Sequence, residues 1–126
     1  MSSIADNIGS VTRRIQKATL QAGREPGSVR LLAVSKTRPA EDLKAAFEAG
    51  QVAFGENYLQ EALDKMQALS GTEGIEWHFI GPIQSNKTRQ IAEAFGWVHS
   101  VDRLKIARRL SEQRPETLPP LNICLQ

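Results

Sequence analysis

The chain has a single cysteine, Cys124, in 126 residues. One cysteine excludes an internal disulfide and fits a reducing compartment. Within Leu121-Asn122-Ile123-Cys124-Leu125 it reads as a small core residue rather than a reactive thiol. Histidines are scarce as well: the two present, His78 and His99, stand far apart in the sequence, so metal-ligand spacing is missing. No apolar run approaches the length of a membrane span. The opening residues carry Asp6 among alternating polar positions and do not form a signal peptide. Charge of one sign is lacking too, with 16 Lys and Arg against 14 Asp and Glu, a formal net charge of +2. The basic residues are scattered (Arg13, Arg14, Arg24, Arg30, Arg38 and Arg89 among them) and not interleaved with aromatics, which argues against a nucleic-acid surface. Arg108-Arg109 reads as a solvated helix face. Phosphate-binding loops of the Walker and Gly-x-Gly-x-x-Gly types are absent, as is a Gly-x-Ser-x-Gly elbow. These absences lead us to expect a cytoplasmic protein with neither membrane nor nucleic acid as a partner.

What is present is ordinary for a folded domain: 40% hydrophobic and 24% charged residues. The length allows one domain at most, burying roughly two-thirds of its unfolded surface. Ile4, Ile8, Val11, Ile15 and Ala18 recur every three or four residues and mark an amphipathic helix that Gly23 ends. A β-type run over 29–34 follows. Pro39 fits the first turn of a helix with Leu43, Ala46 and Phe47 as its stripe, stopped by Gly50. A short strand at 52–54 leads to Gly55-Glu56-Asn57, then to a helix with Leu59, Ala62, Leu63, Met66 and Leu69. The same alternation returns as a strand at 77–80, a helix with Ile91, Ala92 and Phe95, and a strand at 97–100. Next comes a helix with Leu104, Ala107 and Leu110 that Asp102 can cap, then a final strand at 121–125.

Strands alternating with helices predict an α/β fold with a parallel sheet and helices packed outside it. Four β/α units and a fifth strand, after an extra N-terminal helix, amount to about half of a (β/α)8 TIM barrel, which takes roughly 250 residues. We therefore expect residues 1–126 to be a single barrel domain, truncated at its C-terminal end, with its first and fifth strands as open edges. A doubly wound five-stranded sheet is the alternative, although that fold normally finishes with a helix after strand five.

In parallel β/α folds the chemistry gathers at the C-terminal ends of the strands. Ser35-Lys36-Thr37, Gly55-Glu56-Asn57, the loop 81–87 and Ser100-Val101-Asp102 would then face one mouth. Lys36 is the strongest chemical handle. At the end of an apolar strand its amine would be desolvated, which lowers an ammonium pKa and suits it to form a Schiff base. The plainer alternative is a lysine that snorkels into solvent. Glu56 could hold Lys36 as an ion pair or be solvated, and Asn57 could serve the site or cap the next helix. Ser85-Asn86 could be plain capping, and Lys87 a solvated helix residue. His78 points to the opposite face from Trp77 and Phe79; it either lines the barrel interior near the mouth or is a satisfied core histidine.

Three motifs, Leu31-Leu32-Ala33-Val34-Ser35-Lys36-Thr37, Phe54-Gly55-Glu56-Asn57-Tyr58 with Gln60-Glu61, and Trp77-His78-Phe79-Ile80-Gly81-Pro82-Ile83-Gln84-Ser85-Asn86-Lys87, make a specific set in a fixed order. Together with Arg114-Pro115 and Leu118-Pro119-Pro120-Leu121-Asn122, the chain resembles the pyridoxal phosphate homeostasis proteins, stand-alone relatives of the alanine racemase barrel domain. The resemblance runs from the first helix to Gln126. It implies a (β/α)8 barrel with an added N-terminal helix and pyridoxal 5'-phosphate (PLP) held as a Schiff base on Lys36. It also implies a cofactor pocket that includes Asn57, near the ring; with His78 these are the candidate cofactor-binding residues. In that family the phosphate cradle and the partner of the pyridine nitrogen lie in the second half of the barrel, which this sequence does not contain.

The function expected is PLP homeostasis: binding the cofactor without turnover, with PLP-dependent apo-enzymes as possible recipients. A racemase-like enzyme is the alternative; two-base racemisation needs an acid/base on each face of the substrate carbon, and the second domain that supplies one in alanine racemase is not in this sequence. A Schiff-base aldolase using Lys36 on a sugar carbonyl is a third reading.

Overall fold

The computed structural model describes residues 3–126. Helix α1 (Ile4–Gln21) opens on a reciprocal cap, in which the Ser3 hydroxyl accepts from the Asp6 N–H and the Asp6 carboxylate from the Ser3 N–H. It stops where Gly23 takes φ 72°, one residue past the helix cap. Five strands follow, β1 (Ala33–Val34), β2 (Ala53–Glu56), β3 (Glu76–Phe79), β4 (Trp97–Val101) and β5 (Asn122–Leu125). Between them run α2 (Ala40–Glu48), α3 (Leu59–Ala68), α4 (Thr88–Ala94), preceded by a 3₁₀ turn at Ser85–Lys87, and α5 (Leu104–Gln113).

All four strand pairings are parallel and the spatial order is β1-β2-β3-β4-β5. A doubly wound sheet reverses its strand order at a switch point; a sheet whose order follows the chain has no such point and is an arc of a barrel. The doubly wound alternative is thereby excluded. Among the described residues, β1 and β5 each have one strand neighbour.

Alternation along the strands divides their side chains between two faces. Phe54, Trp77, Phe79 and Val98 face the helices. Phe79 and Val98 pack with Ile91, Phe95, Ile106 and Leu110 in one buried cluster. Phe54 packs with Leu43, Ala46 and Leu69 in another, which α1 covers through Ile4 and Ile8. Each such side chain contributes roughly 1.5–3 kcal/mol by leaving water. On the opposite, concave face, the register aligns Val34, Gly55, His78 and Trp97 in one row.

Several expectations shift in detail. Strand β1 is two residues long, not six, because the Gln51 side chain takes the Leu31 carbonyl that a ladder would use and also bonds the Ala53 carbonyl, both at 2.8 Å. Asp102 does not cap α5; Arg103 is the cap residue, and the Asp102 carboxylate pairs with its guanidinium at 3.1 Å. Leu104 is not part of the α5 stripe; it is exposed, and Ile106 and Leu110 carry the burial. Nor is Arg109 solvated. It donates to the Ser85 carbonyl and to Thr88 Oγ1, both at 3.1 Å, and so ties α5 to the loop after β3. Cys124 is half-buried on β5.

Candidate functional site

The parallel order brings the ends of β1, β2, β3 and β4 to one mouth. Lys36 sits there, but it is neither strand nor core: it lies in a turn over residues 35–38, closed by the Arg38 N–H to the Ser35 carbonyl at 3.1 Å, and it is exposed. Of the two readings of Lys36, the structure shows the amine open to solvent at the mouth and not the desolvated one.

The next residue, Thr37, has φ 65°. That is the left-handed region, which a β-branched residue rarely enters and which glycine normally supplies at this point of a turn. The strain persists because the turn is tied from below. Ser35 turns toward the helices, where its hydroxyl donates to Glu56 and its N–H to the Gly55 carbonyl at 2.9 Å. Glu56 is fully buried and pairs with Lys65 of α3, not with Lys36; Lys65 Nζ lies 3.0 Å from both Glu56 oxygens. Both expected roles of Glu56, as partner of Lys36 or as solvated residue, give way to this pair. Lys65 Nζ also donates to the Ser35 carbonyl at 2.8 Å and to Glu61 Oε1 at 2.7 Å. Glu61 Oε1 in turn accepts the Thr37 N–H at 2.5 Å. The hydrogen bond from Lys65, helped by that from Thr37 and opposed by desolvation, holds the Glu61 carboxyl below the ordinary carboxylate range.

Asn57 lies one residue before the cap position of α3, which Tyr58 occupies without a side-chain cap bond, so Asn57 is not the helix cap. Its Oδ1 is buried and has no hydrogen-bond partner. An acceptor of that kind is costly unless something supplies a donor. The backbone of Asn57 is packed against Gly81, where a Cβ would come within 2.5 Å of the Asn57 carbonyl oxygen; Gly81 is the residue that lets the β2 and β3 loops touch. A groove of about 610 Å³ opens between these loops, with Asn57, Tyr58, Pro82, Ile83, Gln84 and Lys87 in its walls. Lys87, exposed at the end of the 3₁₀ turn, is the second lysine of the region. Neither Ser85 nor Asn86 makes a side-chain cap for α4; the Ser85 carbonyl is instead bonded by Thr88 Oγ1 at 3.0 Å. A second hollow, of about 390 Å³ between α1 and residues 26–31, lies at the other end of the strands and holds none of the candidates.

On the concave face, the two histidines that stand far apart in sequence meet: His78 Nδ1 lies 2.8 Å from His99 Nε2. His78 Nε2 lies 2.7 Å from Glu76 Oε1, and Arg30 bonds both Glu76 oxygens at 3.2 Å. Trp97 stacks on the His78 ring at a centroid distance of 5.3 Å. With Nε2–H donating to Glu76, Nδ1 of neutral His78 accepts from His99 Nε2–H, which fixes both tautomers. Burial pushes the His78 imidazole below its ordinary range, against the Glu76 carboxylate that would raise it. Desolvation works to raise Glu76, but the bonds from His78 and Arg30 prevail and hold its carboxyl low. His78 is therefore on the barrel interior and satisfied at once, so the two readings of it are not exclusive.

Sequence reasoning passed over Lys65 and Glu76, met Thr37 and Glu61 only as parts of motifs, and took His99 only as standing too far from His78 to share a metal. The i,i+4 spacing of Glu61 and Lys65 was the available signal; the burial of Lys65 had none.

No protein-family model matches the chain. Among curated proteins it is similar to the pyridoxal phosphate homeostasis protein of Pseudomonas aeruginosa PAO1, 65% identical over 126 residues, covering all of this chain and 54% of that protein. The protein of the same name from Escherichia coli K12 is 52% identical over 128 residues, covering all of this chain and 55% of that protein. The chain spans about half the length of the curated relatives it matches. Among solved structures it is similar to PipY of Synechococcus elongatus with PLP bound, at 44% identity and TM-score 0.68, covering 78% of this chain and 46% of that one. Alanine racemase from E. faecalis, at 21% identity and TM-score 0.60 over 92% of this chain and 31% of that one, shares the fold.

Proposed function

We propose that this chain, which belongs to the pyridoxal phosphate homeostasis family, contributes the Schiff-base lysine and one wall of a PLP site, and that the protein buffers the cofactor without turning over a substrate. The observation that carries the reading is the solvent-open Lys36 amine on a strained turn at the same mouth as an unpartnered buried Asn57 oxygen. PLP supplies an aldehyde, which condenses with an uncharged primary amine to form a C=N bond and release one water.

The residues fit that group at its aldehyde and ring end. Lys36 presents the amine. Asn57, uncharged, offers its bare oxygen to a donor without competing for charge. His78, with both ring nitrogens engaged by His99 and Glu76, lines the floor of the site as a wall stacked on Trp97 rather than as a proton donor. In this reading residues 1–126 are part of one barrel domain, and the phosphate is held by barrel strands beyond these five, as barrels in general hold phosphate after strands seven and eight. The setting is the cytoplasm, and the recipients are apo-enzymes that need PLP.

The racemase alternative requires a base on each face of a substrate carbon. Of the groups described here, Lys36 and Lys87 are the exposed amines at the mouth, while Glu56, Glu61 and His78 are engaged by protein partners. The test is a visible absorption spectrum after adding PLP to the wild-type and Lys36→Ala proteins, with alanine racemisation measured against free PLP. The reading expects a yellow species in the wild type alone and racemisation no faster than the cofactor background. Turnover far above that background would establish the enzyme reading instead.

A further inference from the structure

We propose that Glu61 and Lys65 are positioning residues for Lys36, a role that rests on Lys36 being the PLP-binding amine. Two peptide groups flank the Lys36 Cα, and each is held by one of these side chains. The Ser35 carbonyl, on the N-terminal side, accepts from Lys65 Nζ at 2.8 Å. The Thr37 N–H, on the C-terminal side, donates to Glu61 Oε1 at 2.5 Å. Fixing both adjoining peptide planes fixes φ and ψ of the residue between them, and so sets the direction in which the Lys36 side chain leaves the backbone.

Three further features separate this clamp from an ordinary helix-surface ion pair. Lys65 is 6% exposed, and besides its i,i+4 pair with Glu61 it reaches across to Ser35, just after β1, and to Glu56 of β2. A buried Lys–Glu pair such as Lys65–Glu56 is a poor route to stability, since apolar residues of the same volume commonly serve as well or better. The turn it supports holds a threonine at φ 65°, a conformation that persists only where the surroundings over-determine it. The cost of ordering these groups makes sense if it is the conformation of the 35–38 turn that is being maintained.

The test uses the full-length protein and reads two things. Backbone amide exchange at Thr37 and Arg38 reports the clamp without any cofactor. The share of borohydride-fixed PLP that peptide mapping finds on Lys36, as against other lysines, reports its consequence; a merely structural loss would lower the melting temperature without moving that share. Lys65→Met leaves Glu56 buried without a cation and so puts the fold itself at risk; the deciding variants are therefore Glu61→Ala and Glu61→Gln at a half-exposed position. In Glu61→Ala we expect exchange to rise about tenfold and the fixed share on Lys36 to fall by about the same factor. Glu61→Gln, which keeps an oxygen facing the Thr37 N–H, should restore most of both. Unchanged exchange in Glu61→Ala overturns the clamp. Faster exchange with wild-type fixation on Lys36 overturns its positioning role. A wild-type protein that fixes no PLP on Lys36 overturns the functional reading beneath it, and the positioning role with it.

Discussion

Lys65 and Glu56 form a buried ion pair directly under the turn that carries Lys36, with the Lys65 ammonium 3.0 Å from each oxygen of a carboxylate that solvent does not reach. Lys36, one of the two alternatives the sequence left for Glu56, lies instead in the exposed turn after β1, and the partner of Glu56 comes from α3. Removing one member of a buried pair leaves the other uncompensated. Lys65→Met should destabilise by about 3–5 kcal/mol, and Lys65→Met combined with Glu56→Gln by clearly less. Urea denaturation of the two single variants and the double gives the coupling.

Thr37→Gly should stabilise the fold by about 1 kcal/mol or less, the relief of left-handed strain outweighing the added entropy of glycine in the unfolded chain. It should weaken PLP retention even so, because the turn gains conformations. A rise in melting temperature alongside faster PLP release is the expected pair of results.

Asn57→Ala should cost under about 0.5 kcal/mol, since Tyr58 rather than Asn57 is the cap residue of α3 and the lost oxygen had no partner. PLP release should quicken. Gly81→Ala should reach the same site by another route: its Cβ would meet the Asn57 carbonyl at 2.5 Å, forcing the β2 and β3 loops apart at about 1–3 kcal/mol. Paired melting and PLP-release measurements separate the two variants, with Gly81→Ala unstable and Asn57→Ala not.

The imidazole of His78 is held below its ordinary range by burial, so the folded state binds its proton less readily than the unfolded state does. Its contribution to stability is present above the unfolded value of about 6.5 and is lost as pH falls from there through the folded value. The Glu61 and Glu76 carboxyls, also held low, add a second loss at more acid pH, below about 4.3. In denaturation at several pH values, His78→Gln should flatten the upper of these two limbs. An unchanged upper limb in His78→Gln would show that another group titrates there.

The fold was largely legible because each element carried its own period. The stripe Ile4, Ile8, Val11, Ile15 marked α1, and short apolar runs bounded by Gly and Pro marked the strands. Strand order followed from the half-barrel reading, with its first and fifth strands as edges, and not from periodicity, which does not say which strands pair; the structure excludes the doubly wound alternative. The site was legible as positions at strand ends and opaque as contacts. Lys36 was found by its place after an apolar run, which left a desolvated and a solvent-exposed amine both open; it is exposed because the short β1 ends before it and a turn intervenes. The histidine pair escaped because His78 and His99 are 21 residues apart and meet only when β3 and β4 lie side by side. Lys65 escaped because a lysine on a helix is ordinarily solvated, and its burial depends on Glu56 arriving from another element.

The central claim, that Lys36 is the amine that holds PLP, is tested most directly by locating the bond. The protein is incubated with PLP, reduced with borohydride, digested and mapped by mass spectrometry. The account predicts the fixed cofactor on the peptide containing Lys36, at near-stoichiometric yield and lost in Lys36→Ala. Adduct concentrated on Lys87, or spread evenly over the exposed lysines, would contradict it.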